Sequence, residues 1–343
     1  MLQAVMTKPG EIEYREVDKP AIEKPNQVIV RMERIGVCGS DIHVYHGTHP
    51  FTGYPVVQGH EVSGVIEEVG SDAGELKKGD KVTIMPQEVC GECYYCTHGM
   101  YHICQSLKVM GFQTEGAGQE YFRVDAEKVL RLPEDMSLDY AAMIEPVSVA
   151  VHAMGRFGSV EGLKVLVLGA GTIGNLTAQT ARALGAADVM ITDISDYKLG
   201  KAKDCGIDHA INTKSQDLGA SIRSAFGDNG ADVIFECVGA QATIDQAVEN
   251  ARKASTIVVV GVFGEKPKVN LSRVQDCELS LIGTLMYQQD DYEKAIELIA
   301  GGKMQLDPMI THRFGFRDFL KAYETIEEAN GESLKVMIDV QDN

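Results

Sequence analysis

The sequence is short of basic residues and contains no long apolar run. Its 343 residues include 32 Lys and Arg against 50 Asp and Glu, which gives a formal net charge of −18. Without an excess of cations the chain has little with which to bind phosphates, so we expect neither nucleic acid nor a membrane as a partner. No apolar run approaches the roughly 20 residues that a transmembrane helix needs.

An export signal is also missing from the sequence. The opening Met1-Leu2-Gln3-Ala4-Val5-Met6 is too short and lacks the basic flank of a signal peptide, so we expect a cytoplasmic protein. Four of the eight cysteines are clustered within residues 90–104, which favours metal ligation in a reducing compartment over disulfides. The chain length suggests about two domains of roughly 100–200 residues each.

A glycine-rich segment lies between a predicted strand and a predicted helix in the second half. The apolar run 164–168 predicts a buried strand, and the spacing of apolar residues over 175–184 predicts a helix. Between them the sequence reads Gly169-Ala170-Gly171-Thr172-Ile173-Gly174, a Gly-x-Gly-x-x-Gly motif. This order predicts a dinucleotide site, because the glycines allow a tight turn and a close approach of the pyrophosphate to the helix N-terminus.

A second predicted strand, 188–193, ends in an acid. Asp193 lies about twenty residues beyond the glycines, where a carboxylate accepts the adenine ribose 2′-hydroxyl and repels a 2′-phosphate. We therefore expect NAD rather than NADP. Further strands predicted at 231–236, 256–260 and 279–283 alternate with helices, which is typical of a doubly wound parallel sheet.

The first 150 residues are rich in short predicted strands. An alternating segment at 28–34 and short strands at 64–70 and 81–84 are separated by glycine turns. This pattern predicts a partly open β-barrel.

Four cysteines in this half have the spacing of a closed metal site. Cys90, Cys93, Cys96 and Cys104 follow Cys-x2-Cys-x2-Cys-x7-Cys, which suits a tetrahedral structural zinc. An iron–sulfur cluster is the alternative. The ferredoxin pattern, however, places its fourth cysteine after three residues and follows it with proline, whereas the gap here is seven and Gln105 follows. We read the intervening His98 and His102 as solvated loop residues.

A second set of possible metal ligands precedes the cysteine cluster. Cys38-Gly39-Ser40-Asp41-Ile42-His43 and Gly59-His60-Glu61 offer thiolate, imidazole and carboxylate groups. Three such ligands leave one zinc position open for water or substrate. Asp41 is a candidate to hold the second ring nitrogen of His60.

Together these motifs, with Glu145-Pro146, resemble the zinc-dependent medium-chain dehydrogenases, in the branch that includes sorbitol and other polyol dehydrogenases. The resemblance covers essentially the whole chain and implies an α/β fold class with two parts. A GroES-like β-rich catalytic domain at 1–150 would carry a zinc lobe at about 88–106. A doubly wound Rossmann NAD-binding domain would follow at 151–285, with a return to the catalytic domain at 286–343. The family also implies a homodimer or homotetramer.

The resemblance implies two zinc ions per chain. Cys38, His60 and Glu61 would hold the catalytic zinc, and the four-cysteine lobe would hold the structural one. Glu145 would be a fourth ligand of the catalytic zinc or would bind its water. Its apolar setting supports a metal role, since an unpaired buried carboxylate is costly.

Contacts to the cofactor and the substrate are also implied by the resemblance. Cofactor contacts are expected at the glycine loop and Asp193, with a basic residue near the adenosine and another near the pyrophosphate. The basic residues are Lys198 near the adenosine and Lys335 near the pyrophosphate. Further cofactor contacts are expected at Cys237, Val238, Gly261 and Val262. The substrate pocket would be lined by Ser40, Tyr45, Phe112, Glu145 and Tyr287.

The implied reaction is the reversible, NAD-dependent oxidation of a secondary alcohol of a polyol or sugar derivative. In the family, a residue matching Ser40 takes the hydroxyl proton and relays it through the nicotinamide ribose to one matching His43. Sorbitol dehydrogenase has an Arg-Tyr pair where this chain has Met286-Tyr287, which removes a donor for polyol hydroxyls. Three other substrate classes therefore remain possible: sugar acids such as L-galactonate, small diols such as 2,3-butanediol, and L-threonine. A non-catalytic zinc and dinucleotide-binding protein is the alternative from another class.

Overall fold

The computed structural model describes residues 1–342, which divide into two compact units. The first comprises Met1–Glu145 and the C-terminal segment from Ile310, and the second is Pro146–Met309. The first boundary lies close to the predicted residue 150. The chain leaves the second unit about two dozen residues after the predicted position 285, because the helix at 289–300 packs within the second unit.

The first unit begins with a run of short strands and short helices. The strands are β1 (Leu2–Lys8), β2 (Glu11–Glu16), β3 (Gln27–Val37), β4 (Glu61–Val69), β5 (Lys81–Ile84), β6 (Gln87–Glu88), β7 (Lys108–Val109), β8 (Tyr121–Asp125) and β9 (Val129–Arg131). The helices are α1 (Gly39–Tyr45), α2 (Tyr94–Thr97) and α3 (Leu138–Ala142), and α4 (Ile144–Phe157) spans the boundary between the units.

The second unit alternates strands with helices. Its strands are β10 (Lys164–Leu168), β11 (Asp188–Asp193), β12 (His209–Asn212), β13 (Val233–Glu236), β14 (Thr256–Val259) and β15 (Ser280–Gly283). Its helices after α4 are α5 (Thr172–Ala183), α6 (Asp196–Asp204), α7 (Leu218–Phe226), α8 (Gln241–Asn250), α9 (Leu271–Asp276) and α10 (Gln289–Ala300). The chain then returns to the first unit with β16 (Ile310–Gly315), α11 (Phe319–Glu328) and β17 (Lys335–Asp339).

The first unit is built on a seven-stranded sheet in the order β16-β17-β3-β4-β5-β9, with β8 paired to β3. Strand β3 is central and its side chains are buried along most of its length, among them Val30 and Met32. The apolar core around it also takes residues from the return segment, including Phe316 and Ile338. The C-terminal strands are therefore part of this unit's hydrophobic core.

The second unit contains a six-stranded parallel sheet in the order β12-β11-β10-β13-β14-β15. Counted from β10, this order is 3-2-1-4-5-6, the doubly wound arrangement of dinucleotide-binding domains. Val165 and Val167 of β10 pack into one apolar cluster, while Leu166 and Leu168 pack into another on the opposite face. Burial on both faces explains why β10 is apolar from Val165 to Leu168. The predicted Rossmann domain is confirmed.

Most of the predicted elements are present with shifted ends. Strands β5 and β11 have the predicted bounds, whereas α5 begins at Thr172, three residues before the predicted start. None of the helices found in residues 1–342 has both the length and the apolar character required to cross a bilayer.

Candidate functional site

Three neighbouring strands bring the predicted metal ligands to one end of the first unit's sheet. Strand β3 pairs antiparallel with both β4 and β17, with Gly36 opposite Glu61 and Val37 opposite Val336. Cys38 follows the last residue of β3, so it lies beside the first residue of β4 and the first residue of β17. The register of the sheet therefore gathers residues that are far apart in sequence.

The sulfur of Cys38, a ring nitrogen of His60 and a carboxylate oxygen of Glu61 lie within 4.8 Å of one another. Such a set of sulfur, nitrogen and oxygen donors suits zinc, and three protein ligands leave a position open for another molecule. In the described part of the chain this group does not include Glu145, which is 6% exposed. A direct bond from Glu145 to the metal therefore stays a prediction.

Asp41 orients two of the three candidate ligands. One of its carboxylate oxygens accepts the backbone N–H of Cys38 at 2.9 Å. The other accepts the side-chain N–H of Gln58 at 3.1 Å and lies 3.6 Å from Nδ1 of His60. That last distance is long for a hydrogen bond, yet Asp41 is the carboxylate that faces the buried Nδ1. The arrangement leaves the other ring nitrogen of His60 for the ligand cluster.

The local field favours positive charge at the position of His60. Burial alone would lower the pKa of His60, but the carboxylate of Asp41 and the side chains of Cys38 and Glu145 raise this pKa well above its ordinary value. Burial raises the pKa of Asp41, because there the charged form loses its water. A divalent cation beside these groups supplies the positive charge that the surroundings stabilise, so the donor set fits zinc.

Lys335 is bound to one of the candidate ligands. It is 2% exposed, and its ammonium group donates to the carboxylate of Glu61 and to the carbonyl oxygen of Val37, the latter at 3.1 Å. A side chain at Gly36 would collide with the same carboxylate, so it would push Glu61 out of its present position. The role predicted for Lys335 at the cofactor's pyrophosphate stays a prediction. Its contact with Glu61 was not foreseen from the sequence.

The four cysteines of the lobe converge on one point. The sulfur–sulfur distances are similar in four of the cysteine pairs. They are 4.0 Å for Cys90–Cys96, 3.6 Å for Cys93–Cys96, 3.9 Å for Cys93–Cys104 and 3.5 Å for Cys90–Cys104. A tetrahedral zinc with bonds of about 2.3 Å places its sulfurs about 3.8 Å apart. Disulfides, with sulfurs about 2.05 Å apart, are excluded. A multi-iron cluster would spread the thiolates over several metals, so a single ion fits better.

Backbone amides prepare two of these thiols for metal binding. Donation from the N–H groups of Gln105 and Cys96 lowers the pKa of Cys93 to about 6, and similar bonds lower the pKa of Cys104. Loss of water and hydrogen bonds with the sulfurs of Cys93, Cys104 and Cys90 raise the pKa of Cys96 to about 12, because they favour its protonated thiol. A bound zinc ion would stabilise all four sulfurs as thiolates. His98 is exposed as expected, whereas the prediction that His102 is solvated is wrong, since it is 8% exposed.

In the second unit the glycine motif forms the turn from β10 into α5, with Gly171 as the N-cap residue. A side chain at Gly174 would collide with the carbonyl oxygen of Gly169, so the helix and the strand end pack directly. A side chain at Gly171 would meet nothing within 4 Å, which leaves its backbone open to a ligand. The turn therefore has the shape that a pyrophosphate requires.

Asp193 supports this turn from the neighbouring strand. Its Oδ2 accepts the N–H of Ala170 at 2.8 Å, and its Oδ1 accepts the N–H groups of Ile194 and Ser195 at 2.8 and 2.9 Å. The carboxylate therefore shapes the glycine turn, and its free lone pairs remain available to a ribose hydroxyl. Lys198 lies in the first turn of α6 and is half-buried, and its contact with the adenosine stays a prediction.

The turns after β13 and β14 carry the remaining cofactor candidates. Cys237 and Val238 follow β13, and Gly261 and Val262 lie just beyond the end of β14, all at the carboxyl edge of the parallel sheet. Val238 is 45% exposed and Val262 is 86% exposed. Apolar side chains held out at the edge where such sheets bind ligands are consistent with the predicted cofactor contact.

The predicted substrate residues are placed differently from one another. In α1, Ser40 is half-buried and His43 is exposed, while Tyr45 packs against Tyr323 with ring centroids 5.5 Å apart. Phe112 lies between the rings of His60 and His49, at 4.9 and 4.6 Å.

Tyr287 belongs to the second unit. It is fully buried there against Tyr292. Its role at the substrate stays a prediction.

A cavity of about 540 Å³ in the first unit has Phe112 in its wall. Its polar lining includes Gln3, Arg15, Gln113 and Glu115. Sequence analysis missed Arg15, because nothing in the pattern of β2 shows that this strand borders the loop that carries Phe112.

The two sets of metal ligands and the two folds define a zinc-binding dehydrogenase. Residues 24–134 match the alcohol dehydrogenase GroES-like domain, and residues 172–301 match the zinc-binding dehydrogenase family. Sorbitol dehydrogenase 1 of Saccharomyces cerevisiae is 36% identical over 97% of this chain and 96% of its own. The 2-dehydro-3-deoxy-L-galactonate 5-dehydrogenase of Pseudoalteromonas atlantica is 35% identical over 89% of each chain. The crystal structure of galactitol-1-phosphate dehydrogenase from Escherichia coli superposes with a TM-score of 0.92 at 31% identity, covering 99% of this chain and 100% of that one.

The chain therefore belongs to the zinc-dependent medium-chain dehydrogenases, in the polyol dehydrogenase branch. The predicted fold class, a GroES-like unit with a Rossmann unit, is confirmed. The protein is a zinc-dependent oxidoreductase of alcohols, with zinc and a nicotinamide dinucleotide as cofactors.

The two ligand clusters predict two zinc ions per chain with different roles. We expect Cys38→Ser to retain about one zinc ion per chain with little loss of stability and to lose turnover. Cys93→Ser should lose the lobe's zinc and lower the melting temperature by about 5 °C or more, since closed four-cysteine sites stabilise the fold. Elemental analysis and thermal unfolding of the full chain measure both effects.

Cys277→Ser is the matched control, because this buried free thiol belongs to neither cluster and should leave both zinc ions in place. Wild-type protein with a single zinc ion, retained in Cys38→Ser, would contradict the assignment of the open site.

Proposed function

We propose that the protein reversibly oxidises a secondary alcohol of a neutral polyol to the ketone, with NAD as the hydride acceptor. The observation that carries this proposal is the convergence of Cys38, His60 and Glu61 within 4.8 Å in a chain that also presents an open glycine turn at Gly171.

Each residue around the metal site has a definable task. When bound by Cys38, His60 and Glu61, zinc would lower the pKa of an alcohol, and NAD would accept its hydride. Asp41 keeps Cys38 in place through the backbone N–H and faces Nδ1 of His60. Lys335 holds the carboxylate of Glu61 and limits its rotation. These contacts keep the ligands in one geometry before substrate arrives.

The proton of the alcohol has an exit along α1. Ser40 and His43 are three residues apart and so project from the same side of the helix. The half-buried Oγ of Ser40 would accept the proton of the substrate's hydroxyl while releasing its own hydroxyl proton, which leaves the site at the exposed imidazole of His43 and passes from there to water. Thr48 Oγ1 lies 3.5 Å from Nδ1 of His43, which restrains the ring.

We infer that the substrate extends toward the cavity beside Phe112, because Phe112 packs against the ring of His60, although no candidate zinc ligand lines the cavity itself. The balanced charge of this cavity favours a neutral substrate. Its cation, Arg15, is paired with Glu13 at 3.0 Å, and Glu115 lines the same cavity. The remaining polar groups offer both donors and acceptors, as a chain of hydroxyl groups requires. The yeast relative is named for the polyol sorbitol, and we carry that substrate class to this chain.

A sugar acid is the second candidate. The Pseudoalteromonas relative is named for a galactonate derivative, and Arg15 is the cation that lines the cavity beside Phe112 and would bind a carboxylate there. Glu13 and Glu115 oppose it, so we rank the neutral polyol first.

Substrate choice is tested by following NAD reduction with sorbitol, galactitol, L-galactonate, 2,3-butanediol and L-threonine. We expect kcat/KM for the best polyol to exceed that for any hexonate by about tenfold or more, since the two acids beside the cavity repel a carboxylate. Faster turnover of a hexonate, reduced by Arg15→Gln, would instead establish the second candidate.

Cofactor choice is tested by Asp193→Asn, which removes the charge and keeps one of the two acceptor oxygens, so the turn loses the hydrogen bond made by the other. We expect the ratio of NADP to NAD affinity to rise about tenfold, because the repulsion of a 2′-phosphate is lost. Asp188→Asn is the control, since it makes the same change at the opposite end of β11. Wild-type protein that binds NADP as tightly as NAD would contradict the role of Asp193.

We further propose a homodimer or homotetramer that uses the edge strand β15. This strand ends the parallel sheet, and it carries Leu281 at 37% exposure, with Leu285 nearby at 56%. An edge with exposed apolar residues pairs readily with a second copy of the chain. Light scattering should show an oligomer that Leu281→Lys dissociates, whereas Val69→Lys in the first unit should not. A wild-type monomer would refute the proposal.

We also propose that the protein resides in the cytoplasm. Its eight cysteines are all free thiols, and a reducing compartment keeps them so. Cell fractionation that recovers the protein outside the cytosolic fraction would contradict this location.

A further inference from the structure

A fully buried carboxylate ends strand β13 without an ion-pair partner. Glu236 is 0% exposed, and no cationic side chain within residues 1–342 pairs with it. Its Oε1 accepts the backbone N–H groups of Val238 and Gly239, both at 2.9 Å, and the hydroxyl of Thr243 at 2.7 Å. Three charge-assisted hydrogen bonds to one oxygen offset part of the cost of burying the charge.

The main chain of Glu236 binds a second turn. Its carbonyl oxygen accepts the N–H groups of Val260 and Gly261, both at 2.8 Å. Glu236 therefore forms hydrogen bonds with the turn after β13, with the turn after β14 and, through Thr243, with the first turn of α8.

No side chain separates the two turns. A side chain at Gly261 would lie 2.7 Å from Oε2 of Glu236, and one at Gly239 would collide with the carbonyl of Val262. Oε2 itself is buried and has no hydrogen-bond partner. The positions of the two turns thus depend on how Glu236 is held.

These turns are the ones that carry candidate cofactor contacts. Val238 also touches the glycine turn, because a side chain at Gly169 would meet its Cγ2 atom. A shift of the turn after β13 would therefore move a wall of the site next to the expected pyrophosphate. Glu236 does not reach the surface, so it acts through these turns and not by contact.

We propose that Glu236 is a positioning residue for the dinucleotide, whose buried carboxylate sets the two turns, 237–239 and 261–262, in the geometry that binds the cofactor. This inference rests on the proposed function, in which the Rossmann unit binds NAD. Three donors meet at one oxygen of this side chain. A glutamine oxygen accepts such a set less strongly, and its amide group would meet Gly261 where no acceptor is available.

The test is the NAD affinity of the full-length, zinc-loaded protein, measured by calorimetry, with the steady-state constants beside it. We expect Glu236→Gln to raise the Kd and KM for NAD about tenfold while kcat changes less than about twofold and both zinc ions remain. Thr243→Val removes one of the three donors and should raise Kd about threefold. Glu249→Gln, the same change at an exposed position of α8, should leave Kd unchanged.

The possible results distinguish a failure of the proposed function from a failure of the role inferred for Glu236. Wild-type protein that binds no NAD would overturn the proposed function and this inference together. Wild-type binding that Glu236→Gln and Thr243→Val leave unchanged, even with lower melting temperatures, would make Glu236 merely structural and overturn the inference alone. If Glu236→Gln does not fold, Thr243→Val decides by the same criterion.

Discussion

Buried negative charge at the ends of β3 and β4 is the constraint on which the first unit depends. Asp41 and Glu61 are each 1% exposed and Glu145 is 6% exposed, and among residues 1–342 Lys335 is the one lysine or arginine that is buried. Buried charges without compensation are strongly unfavourable. The pKa of His60 is raised because the surrounding side chains stabilise positive charge at this position. A zinc ion bound there would also supply positive charge, with the Cys38 thiolate as one of its ligands.

The second unit stabilises the acids at its strand ends, the half-buried Asp193 and the buried Glu236, by a different means. Asp193 and Glu236 each end a parallel strand, and each accepts backbone N–H groups from the turns beside it. These hydrogen bonds stabilise the charges and shape the turns at once. The chain thus uses acids in two ways: in one unit they surround a metal site, and in the other they shape the turns of a nucleotide site.

Local patterns in the sequence predicted the parts of the structure that are held by short-range contacts. The Cys90 to Cys104 spacing, the glycine turn and the bounds of β11 depend on neighbours within a few residues. The pairing of Lys335 with Glu61 could not be predicted, because it follows from β17 lying beside β3, nearly 300 residues away. The cavity position of Arg15 and the burial of Tyr287 likewise depend on packing between distant segments.

Zinc K-edge X-ray absorption of the purified full-length protein tests the central claim most directly, because it reads the ligands of the metal itself. A four-sulfur site and a one-sulfur site in equal number predict on average about 2.5 sulfur atoms per zinc at about 2.3 Å, with nitrogen and oxygen at about 2.0–2.2 Å. Four sulfur ligands per zinc, with no nitrogen or oxygen shell, would show that Cys38, His60 and Glu61 do not hold a metal and would contradict the account.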